Sequence, residues 1–136
     1  MQFHSEKERI VIIDFGSQFT KLIARRVREL SVYSEIITPT ELSKIKNFHS
    51  IKGFIFSGGP STVTKTNFQS VPKEIFEKKI PILGICYGLQ LIAKIFGGRI
   101  KPSNKRREFG RAFLIKKQNS LLVKNFLNLK KFIYWL

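Results

Sequence analysis

Cys86 is the one cysteine of the chain and stands in Gly84-Ile85-Cys86-Tyr87-Gly88, where an apolar run gives way to an amphipathic one. Ile82 to Ile85 is short, β-branched and uncharged, as expected of a strand buried on both faces of a parallel sheet. Leu91, Ile92, Ile95 and Phe96 then recur at helical spacing, with Lys94 turned away and Gly97-Gly98 closing the helix. The thiol therefore falls on a tight strand-to-helix turn. Glycines two residues to either side suit such a turn, because a Cβ there would strike the neighbouring backbone. At the amino end of a helix, unpaired N–H groups and the helix dipole favour thiolate, and the Tyr87 N–H can face a developing oxyanion. The chemistry is that of a sulfur nucleophile attacking an acyl carbon. The competing reading is a small hydrophobe packed beside an apolar strand.

A second segment bears on that choice. Phe54-Ile55-Phe56 is another buried-strand run and ends in Ser57-Gly58-Gly59-Pro60-Ser61, a loop whose glycines let backbone N–H groups approach a ligand. If the two strands are neighbours, this loop and Cys86 share one carboxyl edge, where open α/β sheets bind ligands. The remaining elements must supply that sheet. Ile10 to Ile13 reads as the first strand, and Asp14-Phe15-Gly16-Ser17 turns into a helix with Phe19, Leu22, Ile23, Val27 and Leu30 on one stripe. Asp14 sits at the carboxyl edge, either as a functional carboxylate or as the acceptor that ties the turn and caps the helix. Strands over Ser34 to Ile37 and Gly53 to Ser57 alternate with short helices over Thr40 to Phe48 and Pro72 to Lys78. Alternation of this kind predicts right-handed crossovers and a doubly wound, mostly parallel α/β sheet. After Gly98 the pattern changes to an antiparallel or edge strand over Arg111 to Lys117, a helix over Leu121 to Phe126 and a strand over Phe132 to Leu136. No repeat or low-complexity linker divides residues 1–136, which read as one domain.

A length of 136 residues with 43% hydrophobic and 12% aromatic content is enough for a real core. No apolar stretch approaches membrane-spanning length, and residues 1–8 lack a signal-peptide core, so no membrane partner is expected. A single cysteine forms no internal disulfide, which makes a cytoplasmic, reducing setting the default. The balance of 25 Lys and Arg against 9 Asp and Glu gives a net charge of +16. Basic residues are spread through nearly every segment, with clusters at Arg25-Arg26-Val27-Arg28, Lys105-Arg106-Arg107 and Lys116-Lys117. No zinc-ligand set or RNA-binding aromatic motif accompanies them, so the expectation is solvated lysines with nonspecific, salt-sensitive binding to polyanions.

Four ordered motifs carry a resemblance: Ile13-Asp14-Phe15-Gly16-Ser17-Gln18, Ser57-Gly58-Gly59-Pro60, Gly84-Ile85-Cys86-Tyr87-Gly88-Leu89-Gln90 and Arg107-Glu108-Phe109-Gly110. Their order and spacing resemble the class I glutamine amidotransferases, nearest to the amino-terminal glutaminase domain of the GMP synthetases, from about Arg9 to Trp135. The resemblance implies a flavodoxin-like α/β fold and no cofactor in this chain. It also implies Cys86 as nucleophile, Gly59 and Tyr87 N–H groups as the oxyanion hole, and Gly58 and Gln90 as glutamine contacts. Glu108 lies in a family motif, with a loop-stabilising role as the alternative.

Glutamine hydrolysis through a thioester needs a base that accepts the thiol proton and protonates the leaving nitrogen. Only His4 and His49 are present. His4 precedes the first strand, and His49 precedes the Gly53 to Ser57 strand, at the edge opposite Cys86; both read as surface residues. In the family the base lies in a later His-Pro-Glu segment, after a Ser-His-Gly segment, and the ATP-pyrophosphatase and dimerisation portions follow. The expectation is a domain incomplete at its carboxyl end, with an exposed edge at Phe132 to Leu136, that on its own is partly disordered, aggregates or depends on a partner. Three readings stand: a glutaminase part whose missing residues come from a separate chain carrying the synthetase portions, a degenerate amidotransferase-like protein without turnover, and a non-catalytic basic binding module that reuses the fold. The resemblance favours the first for ancestry, and the missing base favours the second for activity.

Overall fold

Four consecutive β-branched residues at 10–13 have few conformations as good as a strand buried on both faces, and in the computed structural model Arg9–Ile13 is β1. The structure describes residues 7–60, 63, 68–101, 111–114, 121–122 and 132–135. From β1 the chain passes through α1 (Thr20–Glu29) to β2 (Ser34–Ile37), and through α2 (Pro39–Leu42) to β3 (Ile51–Phe56). It continues through α3 (Glu74–Glu77) to β4 (Ile82–Gly84) and α4 (Tyr87–Ile95). The four strands form one parallel sheet in the order β2-β1-β3-β4. The chain leaves β1 in one direction and returns to its other side, so the winding reverses between β1 and β3, the place where such sheets bind ligands. Register brings the strand ends level: Ile13 pairs with Ile37 and Phe56, and Phe56 with Gly84. The loops after β1, β3 and β4 consequently leave from one edge.

Val11, Ile12 and Ile13 are all completely buried. Val11 and Ile13 belong to the main apolar cluster with Phe54, Phe56 and Leu91, whereas Ile12 lies outside it. Because side chains alternate along a strand, both faces of β1 are covered. Edge-on aromatic contacts run from Phe48 to Phe54, Phe56, Phe76 and Phe96, and Phe15 meets Phe56 edge-on and Tyr87 at a tilt.

Several expectations are corrected. β4 is only half-buried, because it is the outer strand of the sheet among the described residues rather than an inner one. On α1 the buried residues are Thr20 and Ala24, while Phe19, Leu22 and Leu30 are exposed. Small side chains let this helix lie close on the sheet, and the larger apolar ones fall on its flank. The second helix is one turn, not Thr40 to Phe48. Thr38 Oγ1 accepts from the Glu41 N–H while the Glu41 carboxylate accepts from the Thr38 N–H, a reciprocal cap that holds Glu41 below the usual carboxylate range. The Asn47 side chain then accepts from the His49 N–H at 2.9 Å, a local turn that competes with helix. The third helix likewise spans Glu74–Glu77 rather than Pro72 to Lys78.

Lys94 is exposed, as its outward place on the helix predicts, but the end of its side chain curls back. Its ammonium donates to the Val63 carbonyl and lies 4.0 Å from the centroid of the Phe68 ring, so α4 is tied to Val63 and Phe68. Lys94→Met is expected to cost about 1 kcal/mol, the scale of one charged hydrogen bond with a cation–π contact, read as a lower denaturation midpoint at unchanged m-value.

The backbone falls into two compact units, Met1–Lys101 and Pro102–Leu136. Within the second, β5 (Arg111–Leu114) pairs antiparallel with β6 (Phe132–Trp135), Arg111 opposite Trp135 and Leu114 opposite Phe132. Both strands fall inside the expected segments. Of the helix expected over Leu121 to Phe126, residues 121–122 form a turn and the rest lie outside the described residues, as do His4 and Glu108. Among the described residues no helix is long and apolar enough to cross a membrane.

Candidate active site

The turn between β4 and α4 is sharp because it is held to β3 at several points. Ile85 donates its N–H to Phe56 O at 2.9 Å, and Gly88 donates to Ser57 O at 3.1 Å and Ile85 O at 3.0 Å. This leaves no room for side chains at the two glycines. A Cβ on Gly88 would lie 2.2 Å from Phe56 O, and one on Gly84 2.7 Å from the Leu89 backbone. Cys86 takes the N-cap position with φ 50° and ψ −110°, a conformation costing a residue with a side chain on the order of 1–3 kcal/mol. Its carbonyl accepts from the Gln90 N–H at 3.1 Å. Cys86 is exposed, which removes the reading of a buried hydrophobe.

The loop after β3 lies against it. A Cβ on Gly58 would sit 3.7 Å from Cys86 Cβ and 3.6 Å from Ser17 Oγ, and one on Gly59 would strike Phe15 O at 2.7 Å. Loops from β1 and β3 thereby close around the cysteine in a cleft of about 400 Å³, lined by Gly16, Ser17, Gln18, Phe19, Gly58, Gly59, Pro60 and Cys86. Of the expected site residues, Cys86, Gly58 and Gly59 meet here. Tyr87 starts α4 beside the cysteine, but its side chain is buried and its hydroxyl donates to Gln69 O; burial pushes that phenol above its ordinary pKa. Gln90, one turn farther along α4, is half-buried and does not line the cleft. Its Oε1 is buried without a hydrogen-bond partner among the described residues.

Asp14 ties the first turn. Its Oδ1 accepts from the Gly16 N–H at 2.9 Å and the Thr20 hydroxyl at 3.0 Å. His49 is exposed and precedes β3, so six residues of strand, roughly 20 Å, separate it from the Ser57 loop. Sequence reasoning missed two buried hydroxyls behind the cleft, Thr20 and Ser57, whose oxygens are 3.2 Å apart. A polar residue on the buried side of α1 was the available signal for Thr20.

The geometry is that of an exposed thiol on a strained helix N-cap, overlooked by a glycine loop at the reversal point of a parallel sheet. The family model described as glutamine amidotransferase class-I matches residues 11–136. A GMP synthase [glutamine-hydrolyzing] of Borreliella burgdorferi is 46% identical over 117 residues, covering 85% of this chain and 22% of the relative. The enzyme of that name from Clostridium tetani is 53% identical over 107 residues, covering 78% of this chain and 21% of the relative. The chain thus spans about a fifth of the length of these curated relatives. A crystal structure described as that of a GMP synthase subunit from Thermoplasma acidophilum superposes with a TM-score of 0.71 at 26% identity, covering 97% of this chain and 65% of that one. With its sheet order, its cysteine turn and the family match over nearly its whole length, the chain belongs to the class-I glutamine amidotransferase family.

Proposed function

We propose that these residues form the nucleophile half of a glutaminase that serves a GMP synthase. The observation that carries this reading is Cys86, exposed in a left-handed N-cap conformation against Gly58 and Gly59. In the reaction, Cys86 Sγ adds to the side-chain amide carbon of glutamine, and the N–H groups of Gly59 and Tyr87 receive the resulting oxyanion. Collapse breaks the C–N bond and leaves a thioester on Cys86; the leaving nitrogen takes a proton and departs as ammonia. Water then cleaves the thioester to glutamate. Gly58 lines the cleft and contacts the glutamine, whereas Gln90, which does not line it, is assigned as a glutamine contact on the family resemblance alone. Neither His49, at the opposite edge, nor His4, ahead of β1, serves as the base, which we assign to a histidine outside residues 1–136. Ammonia would be consumed on a synthetase portion that converts XMP to GMP.

Covalent capture tests this. A glutamine-like chloroketone is expected to label Cys86 in the native chain at least about tenfold faster, relative to iodoacetamide, than in the denatured chain, since only the folded site supplies oxyanion donors. Equal relative rates in the two states would remove the nucleophile assignment.

A further inference from the structure

Behind the cleft, Ser57 is completely buried and Thr20 nearly so, at 2% exposure. Ser57 Oγ accepts from the Phe15 N–H at 3.4 Å and donates to the carbonyl of the next residue, Gly58 O, at 3.1 Å. That carbonyl and the Gly59 N–H belong to one peptide unit. In a planar trans peptide the two groups point in opposite directions, and no peptide bond among the described residues is cis. A hydroxyl that fixes Gly58 O toward the buried side therefore fixes the Gly59 N–H toward the other side, where Gly58, Gly59 and Cys86 line the cleft. Two glycines in succession would otherwise let this peptide rotate at little steric cost.

We propose that Ser57 is a positioning residue that holds the Gly58–Gly59 peptide with its N–H facing the Cys86 thiol, and so sets the oxyanion donor through the backbone. The inference rests on the glutaminase reading above. Thr20 is the branch point of the arrangement. Its hydroxyl reaches Asp14 Oδ1 at 3.0 Å, Ser17 O at 3.2 Å and Ser57 Oγ at 3.2 Å. When Thr20 donates to Ser57, the Ser57 proton goes to Gly58 O. When Thr20 donates to Asp14, its own oxygen becomes a second acceptor for that proton. Ser57 thus acts on Gly58 directly, whereas Thr20 both aids and competes.

The test is the ratio of labelling rates of Cys86 in the full chain by a glutamine-like chloroketone and by iodoacetamide. As sulfur adds to the ketone its oxygen gains charge and needs the Gly59 donor, while displacement of iodide creates no oxyanion. Ser57→Ala is expected to lower this ratio about 10- to 100-fold, the scale of a weakened oxyanion donor, with the iodoacetamide rate within about twofold of wild type. Ser57→Thr, which keeps the hydroxyl, is expected to keep the ratio. Thr20→Val leaves Gly58 O as the acceptor for the Ser57 proton and is expected to preserve the ratio or raise it. A merely structural role would slow or speed both reagents together in all three variants, and that result overturns the proposal. So does a fall with Thr20→Val equal to that with Ser57→Ala. If wild type itself shows no chloroketone preference over the denatured chain, the glutaminase reading fails; if the preference exists and Ser57→Ala retains it, only the positioning role fails.

Discussion

Residues 1–136 on their own are expected to release ammonia from glutamine several orders of magnitude more slowly than an amidotransferase with a complete cysteine–histidine pair. Proton transfer is the obstacle. On the glutaminase reading Cys86 adds to the amide, but the amide nitrogen leaves poorly until it is protonated and can depart as ammonia, and the two histidines available are at positions 4 and 49. His49 is held at the amino end of β3, and no motion of a side chain spans a strand. In a serine-protease triad, loss of the base costs on the order of 10⁶ in turnover; a thiol, more readily ionised than a hydroxyl, stands to lose less. A continuous ammonia assay with Cys86→Ala as the blank measures this. Cys86-dependent turnover near that of an intact enzyme would show that a base within these residues had been misplaced.

Gly88→Ala is expected to be the most damaging single methyl in the first unit. Its Cβ would stand 2.2 Å from Phe56 O and 2.6 Å from Phe56 Cβ, and Phe56 is itself completely buried and paired on both sides. Backbone cannot give way there without opening the sheet, so α4 must move off β3. The loss should be about 3 kcal/mol or more, at the upper end for overpacking a rigid site. Chemical denaturation reads the stability, and Cys86 labelling reads the turn: its selectivity for the chloroketone should fall to that of denatured protein. A variant as stable as wild type, with selectivity intact, would show that the turn is not fixed by this contact.

The turn around Cys86 was legible because its determinants are local. Glycines at 84 and 88 bracket the cysteine within five residues, and the added-Cβ distances give the steric reason for both. Strand content was legible for the same reason, since runs such as 10–13 and 54–56 declare themselves by composition. What escaped depends on partners distant in sequence. Whether Ile82–Gly84 is inner or outer is decided by how many strands flank it, and nothing within the segment encodes that. Helical spacing placed Lys94 outward, yet a long side chain can curl back, and Val63 and Phe68 gave it a carbonyl and a ring to reach. The stripe on α1 was misread because hydrophobicity favoured Leu22 and Leu30, whereas close packing on the sheet favoured Thr20 and Ala24. The Ser57–Thr20 contact joins residues 37 apart, invisible to any window of neighbours.

The all-parallel sheet also sets the order in which this site comes into being. A parallel pair has no tight hairpin to start from, and every strand contact waits for a crossover to close. The bonds that bend the chain at Cys86, from Ile85 to Phe56 and from Gly88 to Ser57, join residues about thirty positions apart. Until β3 and β4 have docked, α4 has nothing to lean on, and the left-handed conformation at Cys86 has nothing to enforce it. The geometry of the cysteine turn is therefore among the last features to appear during folding, governed by slow non-local pairing rather than by fast helix formation. A collapsed but incompletely paired chain would carry a cysteine of ordinary reactivity, so competence for chemistry is tied to arrival at the native topology.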